Sequence, residues 1–239
     1  AVRLFRAGKE TFDALEEAID AAVHHVHLTY YIWEPDSTGA RLRDALTRAC
    51  ARGVEVRLLL DDAGCVSTPD AFFQSLVEAK GRLARFLPMG RLGRHLSVNH
   101  RNHRKLVVVD GQVGFTGGMN VGDAYAGLSE PWQDAHVRVE GPAVPRLQEI
   151  FCQDWWQTTD EDLATDNYFP ATRSAGDEWV QIVASGPNDG RWHAIHMILV
   201  SAISRATTRV WLETPYFVPD RALSLALETA ALRGVDVRM

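Results

Sequence analysis

Helical and strand patterns alternate along this chain, and this alternation restricts the fold more than any other feature of the sequence. Apolar residues at helical spacing predict helices from about Thr11 to Ala22 and from about Ala40 to Arg52. β-Branched and aromatic runs follow them at Val26–Trp33 and Val54–Leu60. Successive helix–strand units predict a layered α/β sheet containing parallel strands, which bind ligands at their carboxyl ends.

Downstream segments extend the same architecture. We predict a further helix at about residues 70–80, a strand at 132–140 and a helix at 144–156. Asp110-Gly111 stands between two apolar runs, which is typical of a β-hairpin turn. A polar stretch rich in Thr and Asp, at 158–177, predicts a crossover linker.

The second part of the chain repeats the first. Residues 203–220 align with residues 19–36 at an offset of 184, and residues 233–238 align with 52–57 at an offset of 181. So long a period indicates an internal duplication, because solenoid arrays repeat every 20–50 residues or so, about a fifth of this spacing. The expected domains are a first half-domain at 1–157, the linker at 158–177 and the start of a second half-domain, truncated, at 178–239.

One group of polar residues and glycines stands out near the predicted hairpin. It consists of His103, Lys105, Asp110, Gly117, Gly118 and Asn120, spaced as H-x-K-x4-D and then G-G-x-N. Residues two apart in a strand point to the same face, so His103 and Lys105 would present an imidazole and an ammonium together. Asp110 has the opposite parity and lies at the turn, so we expect it to hold the hairpin or a neighbouring side chain rather than contact substrate.

This spacing resembles the catalytic motif of the phospholipase D superfamily. The resemblance implies that His103 attacks the phosphorus of a phosphodiester and that Lys105 balances charge on the non-bridging oxygens. Asn120 would donate hydrogen bonds to the same oxygens, and Gly117-Gly118 would let the backbone approach closely. These residues therefore predict a site for the substrate phosphate.

The nucleophile also needs a residue that fixes its tautomer. A histidine that attacks through Nε2 must donate its Nδ1–H to an acceptor, usually a carboxylate. Asp134 is the candidate, because it lies 31 residues after His103 in a W-x-D sequence of the kind the superfamily carries there. Glu130 is the alternative.

Two other chemistries are disfavoured. His100 and His103 stand beside the cations Arg101, Arg104 and Lys105, which would repel a metal ion, so no catalytic metal is expected. With 31 acidic and 25 basic residues the net charge is −6, which argues against nucleic acid as a partner.

A further histidine group is expected to be structural, at a helix end and a strand edge: His24, His25 and His27.

Short sequences along nearly the whole chain narrow the resemblance to bacterial cardiolipin synthases. Among them are Tyr30-Tyr31-Ile32, Asn102-His103-Arg104-Lys105, Trp132-x-Asp134-x-His136, Phe151-x-x-Asp154-Trp155 and Thr214-Pro215-Tyr216-Phe217-x-Pro219. Such enzymes transfer a phosphatidyl group from one phosphatidylglycerol to the hydroxyl of another through a phosphohistidine, and release glycerol. The resemblance implies no cofactor, a phospholipid substrate at a membrane surface, and the bacterial inner membrane as the location. Attachment would be peripheral or through segments absent from this chain.

The duplication also carries an expectation about a second motif. At the offset of the repeat, the partner of His103 would fall beyond Met239, so this chain is expected to lack the histidine that protonates the leaving alkoxide. Two alternatives remain: a nuclease-like or phospholipase phosphodiesterase with a homodimeric site, and an inactive fragment or lipid-binding module. A second H-x-K-x4-D sequence downstream of Met239 would select the synthase.

Overall fold

The chain forms two compact units, Ala1–Ile182 and Val183–Met239. The computed structural model describes residues 1–88, 101–128, 132–186, 193–214 and 216–239. The segment predicted as a linker, 158–177, lies within the first unit, where its residues Leu163 and Tyr168 are buried. The two units therefore meet in sequence at Ile182, a few residues after the predicted linker.

One seven-stranded mixed sheet forms the centre of the first unit. Its strands are β1 (Val2–Phe5), β2 (His25–Tyr30), β3 (Glu55–Asp61), β4 (Arg82–Phe86), β5 (Leu106–Val109), β6 (Val113–Gly117) and β7 (His136–Glu140). Its helices are α1 (Gly8–Ala21), α2 (Ser37–Ala51), α3 (Gln74–Glu78), α4 (Asp123–Ala126) and α5 (Val144–Thr159), with 3-10 turns at Asp70–Phe73 and Asp166–Tyr168. The strand order is β1-β7-β6-β5-β2-β3-β4, in which β2, β3 and β4 are parallel and the other pairs antiparallel. The predicted α/β class is confirmed.

Strand β2 is buried on both faces, and its sequence alternates accordingly. Val26 and Leu28 face the apolar core that contains α1 and α2. His27, between them, faces α5, where the Phe151 ring stacks on it with centroids 4.5 Å apart. Gln148 Nε2 also lies 2.8 Å from His27 Nδ1. Helices therefore cover the sheet on two sides.

The histidines predicted at a strand edge lie inside the sheet. His25 and His27 belong to β2, which is a central strand between β5 and β3. The Tyr168 ring covers both, with its centroid 5.0 Å from each imidazole. Burial, reinforced by the neighbouring His24, lowers the pKa of His25 to about 4.

A buried neutral histidine makes stability depend on pH. The unfolded chain protonates His25 near pH 6.5 but the folded chain only near 4, so the free energy of unfolding falls as the pH drops through that window. We expect His25→Gln to flatten this slope in urea titrations at a series of pH values. The exposed His193, replaced by Gln, is the control that keeps the slope. An unchanged slope in His25→Gln would contradict the assignment.

Helix α2 runs from Ser37 to Ala51, and both of its ends carry sequence signals. The Asp36 side chain accepts a hydrogen bond from the Gly39 N–H at 2.9 Å, which caps the amino end. Gly53 follows the carboxyl end with φ of +92°, the left-handed conformation of a terminal glycine. The predicted Asp110-Gly111 hairpin turn also forms, with φ of +52° and +64° at its two residues.

Helices α1 and α2 each begin three residues earlier than predicted, and three other predicted elements differ from the structure. The strand predicted at 26–33 ends at Tyr30, because the next residues leave β3 and pair with the loop after β6, where the Glu34 N–H donates to the Val121 carbonyl. The strand predicted at 132–140 begins only at His136. The helix predicted at 70–80 is a 3-10 turn followed by the short α3.

The second unit reproduces the start of the first. It contains α6 (Ala194–Arg205), β8 (Arg209–Trp211), α7 (Arg221–Leu232) and β9 (Asp236–Arg238). β8 and β9 pair in parallel with Arg209 opposite Asp236, at the repeat positions of the His25–Glu55 pair. Asp220 caps α7 by accepting from the Leu223 N–H at 2.8 Å, as Asp36 caps α2. The internal repeat is therefore a structural one.

Candidate active site

The sheet brings most of the predicted site residues to one edge. β2, β3 and β6 end at this edge and β5 and β7 begin there, because β5 runs antiparallel to β2 and β6 runs antiparallel to β5 and β7. His103 and Lys105 precede β5, Gly117 and Gly118 end or follow β6, and Asp134 precedes β7. Open α/β sheets bind ligands at this carboxyl edge of their parallel strands.

His103 and Lys105 meet at the ring of Tyr31. The His103 imidazole stacks on Tyr31 with centroids 3.7 Å apart and planes inclined by 18°. Lys105 Nζ lies 5.4 Å from the same ring centroid and donates to the His103 carbonyl at 2.7 Å. The expected pairing of imidazole and ammonium is present, but strand parity does not produce it, because residues 101–105 are irregular and β5 begins at Leu106.

Two buried carboxylates hold this irregular segment. Asp61 Oδ2 accepts the Asn102 N–H at 2.9 Å. Asp154 accepts from Asn102 Nδ2 at 2.8 Å and from Arg104 Nη1 at 2.6 Å. Asn102 is therefore tied inwards and Arg104 is tied to α5, while His103 between them is exposed.

Burial and neighbouring charges set the protonation of the pair. Partial burial, and then the charge of Lys105, lower the pKa of His103, while Asp61 acts in the opposite direction. Burial also lowers the pKa of Lys105, and the Asp134 carboxylate opposes that change. A lowered histidine pKa favours the neutral imidazole, which is the nucleophilic form.

Asp134 lies next to Lys105 and the glycine pair. Its Oδ1 accepts the Ala135 N–H at 2.7 Å, and a Cβ built on Gly118 would lie 2.0 Å from the same oxygen. Within the described ranges the His103 imidazole has no hydrogen bond, so the contact from Asp134 that would fix its tautomer is not formed here. Glu130, the alternative, lies outside the described residues.

The glycine pair admits protein backbone. A Cβ on Gly117 would lie 2.4 Å from the Ala135 carbonyl oxygen and 2.6 Å from His136 Cα. Gly118 leaves room for the Asp134 carboxylate in the same way. The sequence predicted a close approach of backbone to phosphate, whereas the close approach in this structure is to the residues that start β7.

Asn120 is also engaged within the protein. It is 5% exposed, its Oδ1 accepts the Ile32 N–H at 3.0 Å and its Nδ2 donates to the Tyr125 hydroxyl at 2.9 Å. The predicted hydrogen bonds from Asn120 to phosphate oxygens stay a prediction, and the bond to Tyr125 uses one of the two amide hydrogens. Asn120 joins the loop after β6 to the loop after β2.

Comparison with known proteins identifies the family. The model of the family described as cardiolipin synthase, PLD-like domain, matches residues 15–155, more than half of the chain. The chain belongs to this family. Cardiolipin synthase 2 of Bacillus cereus is 39% identical over 99% of this chain and 47% of its own length. The chain thus spans about half the length of the curated relatives it matches.

Two solved structures share the fold of this cardiolipin synthase-like chain. Phosphatidylserine synthase from Haemophilus influenzae covers 99% of the chain with a TM-score of 0.70 and 14% identity, the match taking in 60% of that protein. Nuc from Salmonella typhimurium, a phospholipase D family member, covers 68% of the chain and 98% of its own, with a TM-score of 0.52 and 21% identity. These likenesses establish the phospholipase D-like fold.

Asp110, the third residue of the family motif, lies at the opposite edge of the sheet. Its Oδ1 accepts the N–H groups of His24 at 2.8 Å and His25 at 2.9 Å, and its Oδ2 accepts that of Val23 at 3.0 Å. The sequence predicted that Asp110 holds the hairpin or a neighbouring side chain, whereas this carboxylate holds the backbone of the connection from α1 to β2.

The sequence did not reveal the contacts that three residues make around His103 and Lys105. Tyr31 contacts both of these side chains, while Asp61 and Asp154 hold the segment that carries them. The position of Tyr31, directly after a buried strand at the ligand-binding edge, was an available signal. Within the described ranges no three His, Cys, Asp or Glu side chains are grouped as ligands for a metal ion.

Proposed function

We propose that this chain carries one half of the active site of a phosphatidyltransferase that makes cardiolipin from two molecules of phosphatidylglycerol, with His103 as the nucleophile. The observation that carries the proposal is an exposed imidazole with a lowered pKa beside the ammonium of Lys105. Imidazole is the nucleophile in this chemistry, and the ammonium offsets the charge that develops on phosphoryl oxygens.

The reaction divides into two displacements at one phosphorus. A nitrogen of His103 forms a bond to phosphorus while the bond from phosphorus to the glycerol oxygen breaks, and glycerol leaves after its oxygen receives a proton. The hydroxyl of a second phosphatidylglycerol then attacks the phosphohistidine, loses its proton and releases the imidazole. One phosphodiester replaces another, so the exchange requires no nucleotide.

The proton donor for the leaving glycerol is a separate residue. The alkoxide has a pKa far above 7, so it needs an acid on the side of phosphorus opposite to His103. The 239 residues contain one H-x-K-x4-D sequence, at His103. We assign the acid to the histidine of a second such motif, outside this chain, or to His103 of a second copy.

The same edge of the sheet carries exposed apolar side chains on both sides of His103. Val66 follows β3 and is 78% exposed, while Leu128 and Trp132, between β6 and β7, are 66% and 54% exposed. The Trp132 ring stacks on Tyr125, with centroids 6.1 Å apart. Tryptophan and aliphatic side chains around a polar site suit the interface of a bilayer, from which a lipid headgroup would reach His103. No helix in the described part of the chain is long and apolar enough to cross a bilayer.

If the protein binds lipid through this edge of the sheet, substitutions of apolar residues at this edge should weaken binding more than substitutions at the opposite edge. We expect Leu128→Ser with Trp132→Ser to weaken binding to phosphatidylglycerol vesicles by at least about tenfold, since both apolar side chains lose their contact with the bilayer. Val23→Ser is the control, because Val23 is 83% exposed but lies at the opposite edge beside Asp110. Equal loss in both variants, measured by vesicle sedimentation, would contradict the proposed orientation.

The proposed reaction is tested with labelled phosphatidylglycerol. Formation of labelled cardiolipin and glycerol in equal amounts, through an acid-labile and base-stable phosphorylated protein, supports the transferase. Phosphatidic acid as the sole product would indicate a phospholipase instead of a transferase. If the 239-residue chain turns over substrate at a rate that rises with the square of its concentration, the homodimeric site is indicated. If a protein that carries two motifs forms neither cardiolipin nor a phosphorylated protein, the proposal is rejected.

A further inference from the structure

His103 has little support from the elements around it. It lies in the irregular segment before β5, it is exposed, and its imidazole makes no hydrogen bond within the described ranges. In the described part of the chain, the His103 ring stacks on the ring of Tyr31. A nucleophile must nevertheless be held within a few tenths of an ångström of its attack geometry.

A face-to-face stack suits this task for a geometric reason. Both imidazole nitrogens lie in the plane of the ring and their lone pair or N–H points outward from the ring edge. With the planes inclined by 18° and the centroids 3.7 Å apart, Tyr31 occupies a face of the His103 ring and leaves both nitrogens open. One nitrogen is then available for phosphorus and the other for a hydrogen-bond acceptor.

Tyr31 is itself closely held by the loop after β3. Its carbonyl accepts from Cys65 Sγ at 3.3 Å. A Cβ on Gly64 would lie 2.0 Å from the Tyr31 carbonyl oxygen and 2.9 Å from its ring atom Cδ2, so only glycine allows this approach. Asp61 Oδ1 accepts the N–H groups of Ala63 at 3.0 Å and Gly64 at 3.2 Å.

The two partners of the stack are therefore supported by one carboxylate. Asp61 holds the loop under Tyr31 through one oxygen and the backbone of Asn102, next to His103, through the other. Asp61 is 1% exposed, so both attachments are shielded from water. This shared support links the backbone segments that carry the Tyr31 and His103 rings.

We propose that Tyr31 is a positioning residue for the nucleophile: its ring sets the plane of the His103 imidazole and keeps both nitrogens accessible. The proposal rests on the proposed function of His103. Lys105 shares the arrangement, because its ammonium lies 5.4 Å from the centre of the same ring, within the range of a cation–π contact. The tyrosine hydroxyl has no part in this role.

Two substitutions separate the ring from the hydroxyl. Tyr31→Phe keeps the stack, and we expect its rate of phosphohistidine formation to stay within about threefold of the parent protein. Tyr31→Leu removes the aromatic face and leaves a smaller, non-planar side chain, and we expect that rate to fall by about 10²-fold, with the loss in kcat rather than KM. Rapid-quench measurements with labelled phosphatidylglycerol give both values, and thermal unfolding checks that both variants fold.

A second readout does not depend on turnover. Partial burial lowers the pKa of His103, and Tyr31 covers one face of its ring. Loss of that cover in Tyr31→Leu should let water reach the ring and raise the pKa, while Tyr31→Phe leaves it unchanged. Nitrogen-15 NMR of the histidine rings across a pH series measures it directly. A parent protein that forms no phosphohistidine would reject the proposed function, but the titration would still test the stack. Parent-like rate and parent-like titration in Tyr31→Leu would overturn the role of Tyr31.

Discussion

Replacing His103 by alanine is expected to abolish formation of the phosphorylated protein and to lower cardiolipin synthesis by at least about 10⁴-fold, because no other group replaces a covalent nucleophile. The fold should be unaffected. His103 is exposed and its imidazole makes no hydrogen bond within the described ranges, so the substitution removes mainly the stack on Tyr31, and the free energy of unfolding should change by about 1 kcal/mol or less. Rapid quench with labelled phosphatidylglycerol and urea unfolding of the same preparations measure the two effects.

Lys105 supplies the matched comparison for this experiment. Lys105→Ala should lower the rate of phosphohistidine formation by about 10²–10³-fold, since a charge that stabilises the phosphoryl oxygens is lost. Lys105→Arg should not restore the rate, because a planar guanidinium does not replace a compact ammonium held 2.7 Å from the His103 carbonyl. If His103→Ala keeps more than a few per cent of the parent rate, His103 is not the nucleophile. If Lys105→Arg is fully active, Lys105 acts only by attracting the negative charge of the substrate.

The layered fold followed from the sequence because it depends on local patterns. The apolar spacing of α1 and α2, the buried runs of β2 and β3 and the Asp110-Gly111 turn each report on a few neighbouring residues. The internal repeat added long-range information, since it predicted that Arg209 and Asp236 occupy the places of His25 and Glu55. These features do not require knowledge of tertiary contacts.

The details of the site depend on residues far apart in sequence. Strand parity predicted that His103 and Lys105 share a face, but Asp61 and Asp154 hold their segment in an irregular conformation. Those carboxylates lie 41 and 52 residues from Asn102, so the sequence around His103 does not reveal these contacts. The contacts of Asn120 with the loop after β2 likewise join residues far apart in sequence, and the sequence did not predict them.

Asp110 belongs to the family motif but lies at the edge of the sheet away from His103, where it supports the backbone. Asp110 has φ of +52°, a left-handed conformation that Asp and Asn adopt more readily than most residues. Its carboxylate accepts hydrogen bonds from three backbone N–H groups. Removing the side chain leaves these donors without their acceptor and replaces Asp by a residue less suited to that conformation. We therefore expect Asp110→Ala to lower the free energy of unfolding by about 2–4 kcal/mol.

Asp110→Asn provides the graded control. Its amide oxygen can keep the bonds to His24 and His25, while its NH2 group opposes the Val23 N–H, so the loss of stability should be about half as large. Because Asp110 lies at the edge of the sheet away from His103, the rate of phosphohistidine formation per folded molecule should remain within about threefold of the parent in Asp110→Asn. Urea unfolding with rapid quench, at a temperature where each variant is folded, tests both statements. A fully stable Asp110→Asn that forms no phosphohistidine would assign Asp110 a direct part in the chemistry.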